Sequence, residues 1–84
     1  MELKTRFDEA VAKSKLLTTR PSNEILLKLY SLYKQATEGD NQQEPPSNPF
    51  DFVARAKHDA WSQLKGRSSE DCMQEYISLM ESLQ

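Results

Sequence analysis

No stretch of this chain alternates apolar and polar residues as a half-buried strand does, whereas four stretches carry apolar residues at three- and four-residue spacing. In the first, Leu3, Phe7, Ala10, Val11, Ser14 and Leu17 share a face and predict a helix from Glu2 to Leu16. Thr18-Thr19-Arg20-Pro21 breaks it, because the residue before a proline is pushed out of the helical region. Ser22 or Asn23 then offers a side-chain oxygen to the free amides of a second helix, which runs to about Thr37. Its core stripe is Ile25, Leu29, Leu32 and Ala36, and Gly39 suits a left-handed cap behind it.

Gly39 to Pro49 has no apolar period and holds three of the four prolines, so it reads as one long loop. A loop of this length either borders a binding site or crosses over to join two parallel helices, and the two readings are compatible. Val53, Ala56, Lys57, Ala60, Trp61 and Leu64 then form the inner stripe of a third helix, stopped by Gly66 after Lys65. Ser68 with Asp71 three residues on resembles a capping box opening the fourth helix. Cys72, Met73, Tyr76, Ile77, Met80 and Leu83 lie on its inner side. The expectation is an all-α bundle of four helices forming one domain over residues 1–84, a length that supports only one core.

Charge narrows the function. At a net charge of −2 the chain lacks the basic excess that neutralises a phosphate backbone, so a nucleic-acid binder is not expected. No apolar run approaches the ~18 residues of a membrane span, and no signal-peptide core is visible at the start. The lone Cys72 cannot form an internal disulfide, which fits a reducing, cytoplasmic setting, and it reads as a small buried hydrophobe. There is no metal-ligand spacing and no nucleophile paired with a base, so neither a metal site nor catalysis is supported.

One cluster departs from a pure packing pattern. Tyr30, Tyr33 and Lys34 lie together beside the second helix's core stripe. Two phenols and an ammonium next to an apolar surface suit a ligand with a flat ring, an anionic group and a greasy portion. Lys57 stands inside the third helix's stripe, where it either snorkels outward or meets an anion. Lys15 borders the first helix's stripe at i+4 from Val11, so three cations at the rims of three apolar faces can converge on phosphates. Any one of Tyr30, Tyr33 and Tyr76 is equally accounted for as a core-edge aromatic whose hydroxyl reaches water. Trp61 reads as core and His58 as a surface residue outside the third helix's inner face.

Tyr30-Ser31-Leu32-Tyr33-Lys34-Gln35-Ala36-Thr37, followed by Gly39-Asp40, closely resembles the signature of the acyl-CoA-binding protein family. Ala56-Lys57-His58-Asp59-Ala60-Trp61 with Leu64-Lys65-Gly66 is a second match, and Phe7, Arg20-Pro21, Met73 and Tyr76 fall in register. The resemblance implies a four-helix up-down-down-up bundle that binds long-chain fatty acyl-CoA thioesters without turning them over or needing a cofactor. It implies an intracellular carrier and pool former, monomeric, in transient contact with membranes or acyl-CoA-using enzymes. By the same resemblance Lys15, Lys34 and Lys57 face the phosphates, Tyr30 and Tyr33 the nucleotide, and Tyr76 lies on the ligand's path. Three positions depart from the pattern: His58 stands for an aromatic, Pro45-Pro46-Ser47 for Arg-Pro-Gly, and Val53 for a polar residue. A helical module whose groove takes a partner helix is the alternative reading, and a thioesterase a weaker one.

Overall fold

The computed structural model describes residues 2–83, and Met1 and Gln84, the outermost positions of the expected domain, lie outside the described residues. Four helices occupy the described residues: α1 (Leu3–Ser14), α2 (Asn23–Glu38), α3 (Phe52–Ser62) and α4 (Ser69–Ser82). Three of the four starts are capped by the chemistry their sequence offers. Ser22 Oγ accepts from the Ile25 amide at 3.3 Å, Asp51 Oδ1 from Ala54 at 3.1 Å, and Ser68 Oγ from Asp71 at 3.1 Å.

The ends differ from the expected ones in an instructive way. α1 stops at Ser14, because Lys15 and Leu16 donate to Ala12 and Lys13, three residues back, and tighten the chain into a turn. α3 likewise stops at Ser62, short of Lys65, with Leu64 and Lys65 bonding three residues back and Gly66 at φ +88°. Gly39 ends α2 at φ 81°, ψ −152°, outside the left-handed helical well expected of it and in a region that glycine alone enters readily.

α2 is the helix that every other part of the fold meets or neighbours. α4 packs against both α1 and α2, whereas α3 packs against α2 alone. Phe7 on α1 stacks on Tyr33 near the C-terminal end of α2, while Val11, Ser14 and Leu17 share a cavity wall with Leu29 and Leu26. α1 and α2 are therefore antiparallel. Ser69 donates to the Ala36 carbonyl and Glu75 pairs with Lys28, so α4 also runs against α2. α2 and α3 share their N-terminal halves across one cavity and their C-terminal ends through hydrogen bonds, and so run parallel. The long loop is the crossover this arrangement requires.

The core is built by α1, α2 and α4: Phe7, Ala10, Leu29, Leu32, Ala36, Cys72, Tyr76, Ile77 and Met80. Burial pushes the Cys72 thiol above its ordinary range, which keeps it protonated and apolar in behaviour. α3 supplies no member of this cluster. Val53, expected on its inner stripe, is 67% exposed, because α3 has only one helix to pack against and its covered face narrows to Ala56, Ala60 and Trp61.

What holds the C-terminal ends of α2 and α3 together is polar. The buried Gln35 amide donates from Nε2 to Asp40 Oδ1 at 2.8 Å and to the Arg67 carbonyl at 3.1 Å. The same Asp40 oxygen accepts from the Gly66 amide at 2.8 Å, and these bonds hold its carboxyl below the usual 3.8. Across the way Arg67 Nη2 donates to Glu75 Oε1 at 2.6 Å, which lowers the Glu75 carboxyl in turn.

Gln35→Leu leaves two acceptors without their donor and is expected to lower unfolding free energy by about 1–3 kcal/mol, read from the urea midpoint. Because Asp40 has a lower pKa folded than unfolded, the unfolded chain binds more protons near that range, and its stabilisation is complete above about pH 4. It is lost as pH falls through the folded value. Asp40→Asn should therefore flatten the acid limb of a pH–stability curve while leaving its slope near neutrality unchanged.

Candidate ligand-binding site

The outer face of α2 carries Tyr30 and Tyr33, and the turn after α1 crosses in front of them. Between lies an open cavity of about 640 Å³ lined by Lys15, Arg20, Leu29, Tyr30, Tyr33 and Tyr76, among others. Phe7 supports its inner wall: its ring centroid is 6.1 Å from Tyr33 in a stacked arrangement and 5.2 Å from Tyr76 edge-on. Burial raises the Tyr76 pKa, with the Ser14 hydroxyl pulling the other way, so Tyr76 is a neutral phenol near pH 7. Two cations and three phenols thus meet an apolar floor.

A second cavity of about 610 Å³ lies between the N-terminal halves of α2 and α3. Leu26, Leu27, Phe52, Val53 and Ala56 make it apolar, with Arg20 and Lys57 also in its wall. A smaller recess of about 210 Å³ under the long loop is bounded by Tyr30, Pro46, Lys57, His58 and Trp61. The three share walls: Arg20 and Leu26 belong to the first two, Tyr30 to the first and third, Lys57 to the second and third. The Lys57 ammonium lies 5.1 Å from the Tyr30 ring centroid, a cation–π contact at the junction.

Of the residues singled out in the sequence, Lys15, Tyr30, Tyr33 and Tyr76 line one cavity, and Lys57 meets them across the Tyr30 ring. Lys34 lines none of the three. Its ammonium hydrogen-bonds Glu38 one turn on and stands 5.0 Å over the Trp61 ring, and the bond to Glu38 raises its pKa. Arg20 was read only as part of a turn, yet it stands where two cavities join. Its placement depends on how the turn packs against α2, which periodicity does not record. Phe52 was missed for a related reason: it is the first residue of α3, outside the stripe, and is 72% exposed at the cavity edge.

Two loop contacts correct the sequence reading of α3. Trp61 is buried as expected, but it serves the loop and not the main core, donating from Nε1 to the Gly39 carbonyl at 2.8 Å. His58 is not a surface residue. Its side chain is only 16% exposed, with Nε2 3.0 Å from the Gln43 carbonyl. The loop folds back over the outer face of α3, an outcome a helical wheel cannot show. Asn41 fixes that fold: Nδ2 donates to the His58 carbonyl at 3.2 Å and to Ser62 Oγ at 3.0 Å, while Oδ1 accepts from the Gln43 amide at 2.9 Å.

An apolar cleft adjoining a cleft of cations and phenols, both built along one helix of a small all-α domain, defines a binding protein for an amphiphilic anion. Residues 4–80 match the family model described as acyl CoA binding protein. The chain belongs to the acyl-CoA-binding protein family. It is 47% identical over 77 residues to acyl-CoA-binding protein homolog 1 of Caenorhabditis elegans, covering 92% of this chain and 88% of that one. The acyl-CoA-binding protein of Dictyostelium discoideum is 49% identical over 80 residues, covering 94% and 93%. Among solved structures, Oryza sativa acyl-CoA-binding protein 2 superposes with a TM-score of 0.90 at 40% identity, covering 98% of this chain and 90% of the other. The all-α four-helix architecture expected from the sequence is the family's.

Asn41→Ala removes both of its tethers to α3 and one bond within the loop. It is expected to speed amide hydrogen exchange at Gln43 and across residues 41–50, while amides in the middle of α2 and α4 keep their protection.

Proposed function

We propose that this chain binds long-chain fatty acyl-CoA thioesters as a carrier and pool former, without catalysing their turnover. The observation that carries this reading is that the two large cavities adjoin, sharing Arg20 and Leu26 as wall residues, with the recess walled by Tyr30 and Lys57 beside them. A thioester of CoA has a flat base, phosphates and an alkyl chain in one molecule, and the site offers phenols and cations in one cavity and an apolar cleft beside it. In this reading Lys15, Lys57 and, once released from Glu38, Lys34 hold the phosphates, the ribose 3′-phosphate above all. Tyr33, already stacked on Phe7, presents its other face to the base, Tyr30 hydrogen-bonds phosphate, and Tyr76 closes the inner wall.

The acyl chain lies against Leu26, Leu27, Phe52 and Val53. Val53 enlarges that lining where the family resemblance leads one to expect a polar side chain. Each methylene buried there contributes about 0.8 kcal/mol. The chain acts as a monomer in the cytoplasm, exchanging ligand with membranes or acyl-CoA-using enzymes, and needs no cofactor. No helix among the described residues is long and apolar enough to cross a membrane.

Calorimetry with palmitoyl-CoA, CoA and palmitate tests the reading, and palmitoyl-CoA should bind far more tightly than either part. Equal, weak binding of all three refutes it, and capture of a helical peptide in their place restores the interaction-module alternative. Across a series of acyl lengths, each two-carbon step should tighten binding about tenfold until the cleft is full. Lys57 is exposed, so Lys57→Ala should change folding stability by less than about 0.5 kcal/mol while weakening palmitoyl-CoA binding roughly tenfold or more.

A further inference from the structure

Glu38 is the last residue of α2, and helix physics gives no reason for a carboxylate there. The C-terminus of a helix is its negative end, where an acidic side chain is disfavoured. A Lys four residues before a Glu is also the weaker order for an ion pair along a helix. Glu38 is half exposed as well, so water screens the pair and it contributes little to the fold. Yet it occupies the ammonium of Lys34, whose side chain is 20% exposed and lies over Trp61. A residue that opposes its local electrostatics and engages a site cation is better explained by what that cation does.

We infer that Glu38 is an internal stand-in for the ligand's phosphate: it holds Lys34 between ligands, lowers affinity, and speeds release. The inference rests on the reading above that Lys34 contacts a phosphate. Binding then exchanges one pair for another, with the Lys34–Glu38 hydrogen bond breaking as the Lys34–phosphate bond forms. A phosphate carries more charge than a carboxylate and wins the exchange, and only side-chain rotation is needed because both partners lie on one rigid helix. Once displaced, the Glu38 carboxylate stays within one helical turn of the bound phosphate and repels it. As the ligand leaves, Glu38 retakes the ammonium, so no bare cation is left on the aromatic face at the point of departure. For a carrier this trades equilibrium affinity for faster delivery.

The test uses the full chain with palmitoyl-CoA in a double-mutant cycle of Glu38→Gln, Lys34→Ala and the pair, reading affinity by calorimetry and dissociation by stopped flow. Glu38→Gln should tighten binding about threefold or more, chiefly through slower dissociation, and most of that gain should be lost in the Lys34→Ala background. Its thermal midpoint should stay unchanged or rise. If Glu38→Gln leaves affinity unchanged or weaker, or tightens it equally without Lys34, the inference is overturned. In either case a weakened Lys34→Ala protein would still support the lysine's role in binding. If Lys34→Ala binds palmitoyl-CoA as the parent does, the assignment of Lys34 to phosphate fails first and the inference falls with it.

Discussion

The buried Gln35 amide holds the architecture at its weakest seam. α3 adds no residue to the main core, so the hydrophobic effect that fastens α1, α2 and α4 does little to fix it. Its position depends on a few directed bonds at one end: Gln35 to Asp40 and Arg67, Asp40 to Gly66, and Trp61 to Gly39. Polar bonds are stringent about geometry where apolar contacts are not, and an unmade one under cover is costly. With its C-terminal end pinned and its N-terminal end carrying exposed Phe52 and Val53, α3 stands off from α2 just where the apolar cleft opens. The cleft is thus a consequence of how the helix is held.

This recasts the run from Tyr30 to Asp40. Its members divide by direction around one helix and one turn. Leu32 and Ala36 go to the core, Gln35 and Asp40 to the seam, Tyr30 and Tyr33 to the cavity, and Lys34 to Glu38 and Trp61. Core and site are linked through Phe7, which is fully buried and touches both Tyr33 and Tyr76. A cavity wall backed by a packed core is rigid, and rigid walls hold a ligand without first being ordered. The chain's negative total charge is no obstacle, since Lys15, Arg20 and Lys57 are gathered on one side of α2.

Helix number and type, and the starts of α2 and α4, were legible because they rest on local physics. Ser22 and Ser68 cap the helices they precede, and Leu29, Leu32, Cys72 and Met80 fall where their spacing puts them. Helix ends were read less well at Ser14 and Ser62, where tightened turns replace the last expected residues. Both lie where the chain must change direction to reach its next helix. Among the candidate residues, Tyr30 and Tyr33 share a cavity because they lie on one helical face, whereas Lys15 and Tyr76 reach it from α1 and α4, which only the packing brings together. Arg20 and Phe52 escaped because each acquires its place from two segments far apart in sequence.

The sequence by itself determined that this chain makes four helices, which faces α1, α2 and α4 bury, and that cations and phenols stand beside an apolar stripe. Those properties follow from spacing along one segment and need no partner. Only the tertiary structure decided that α3 leans on α2 alone, that the loop covers His58 and rests on Trp61, and that Lys34 stands over the Trp61 ring. All of these depend on contacts between segments far apart in sequence, which no single stretch records. Periodicity reports which way a residue faces. What it meets there is settled by the rest of the fold.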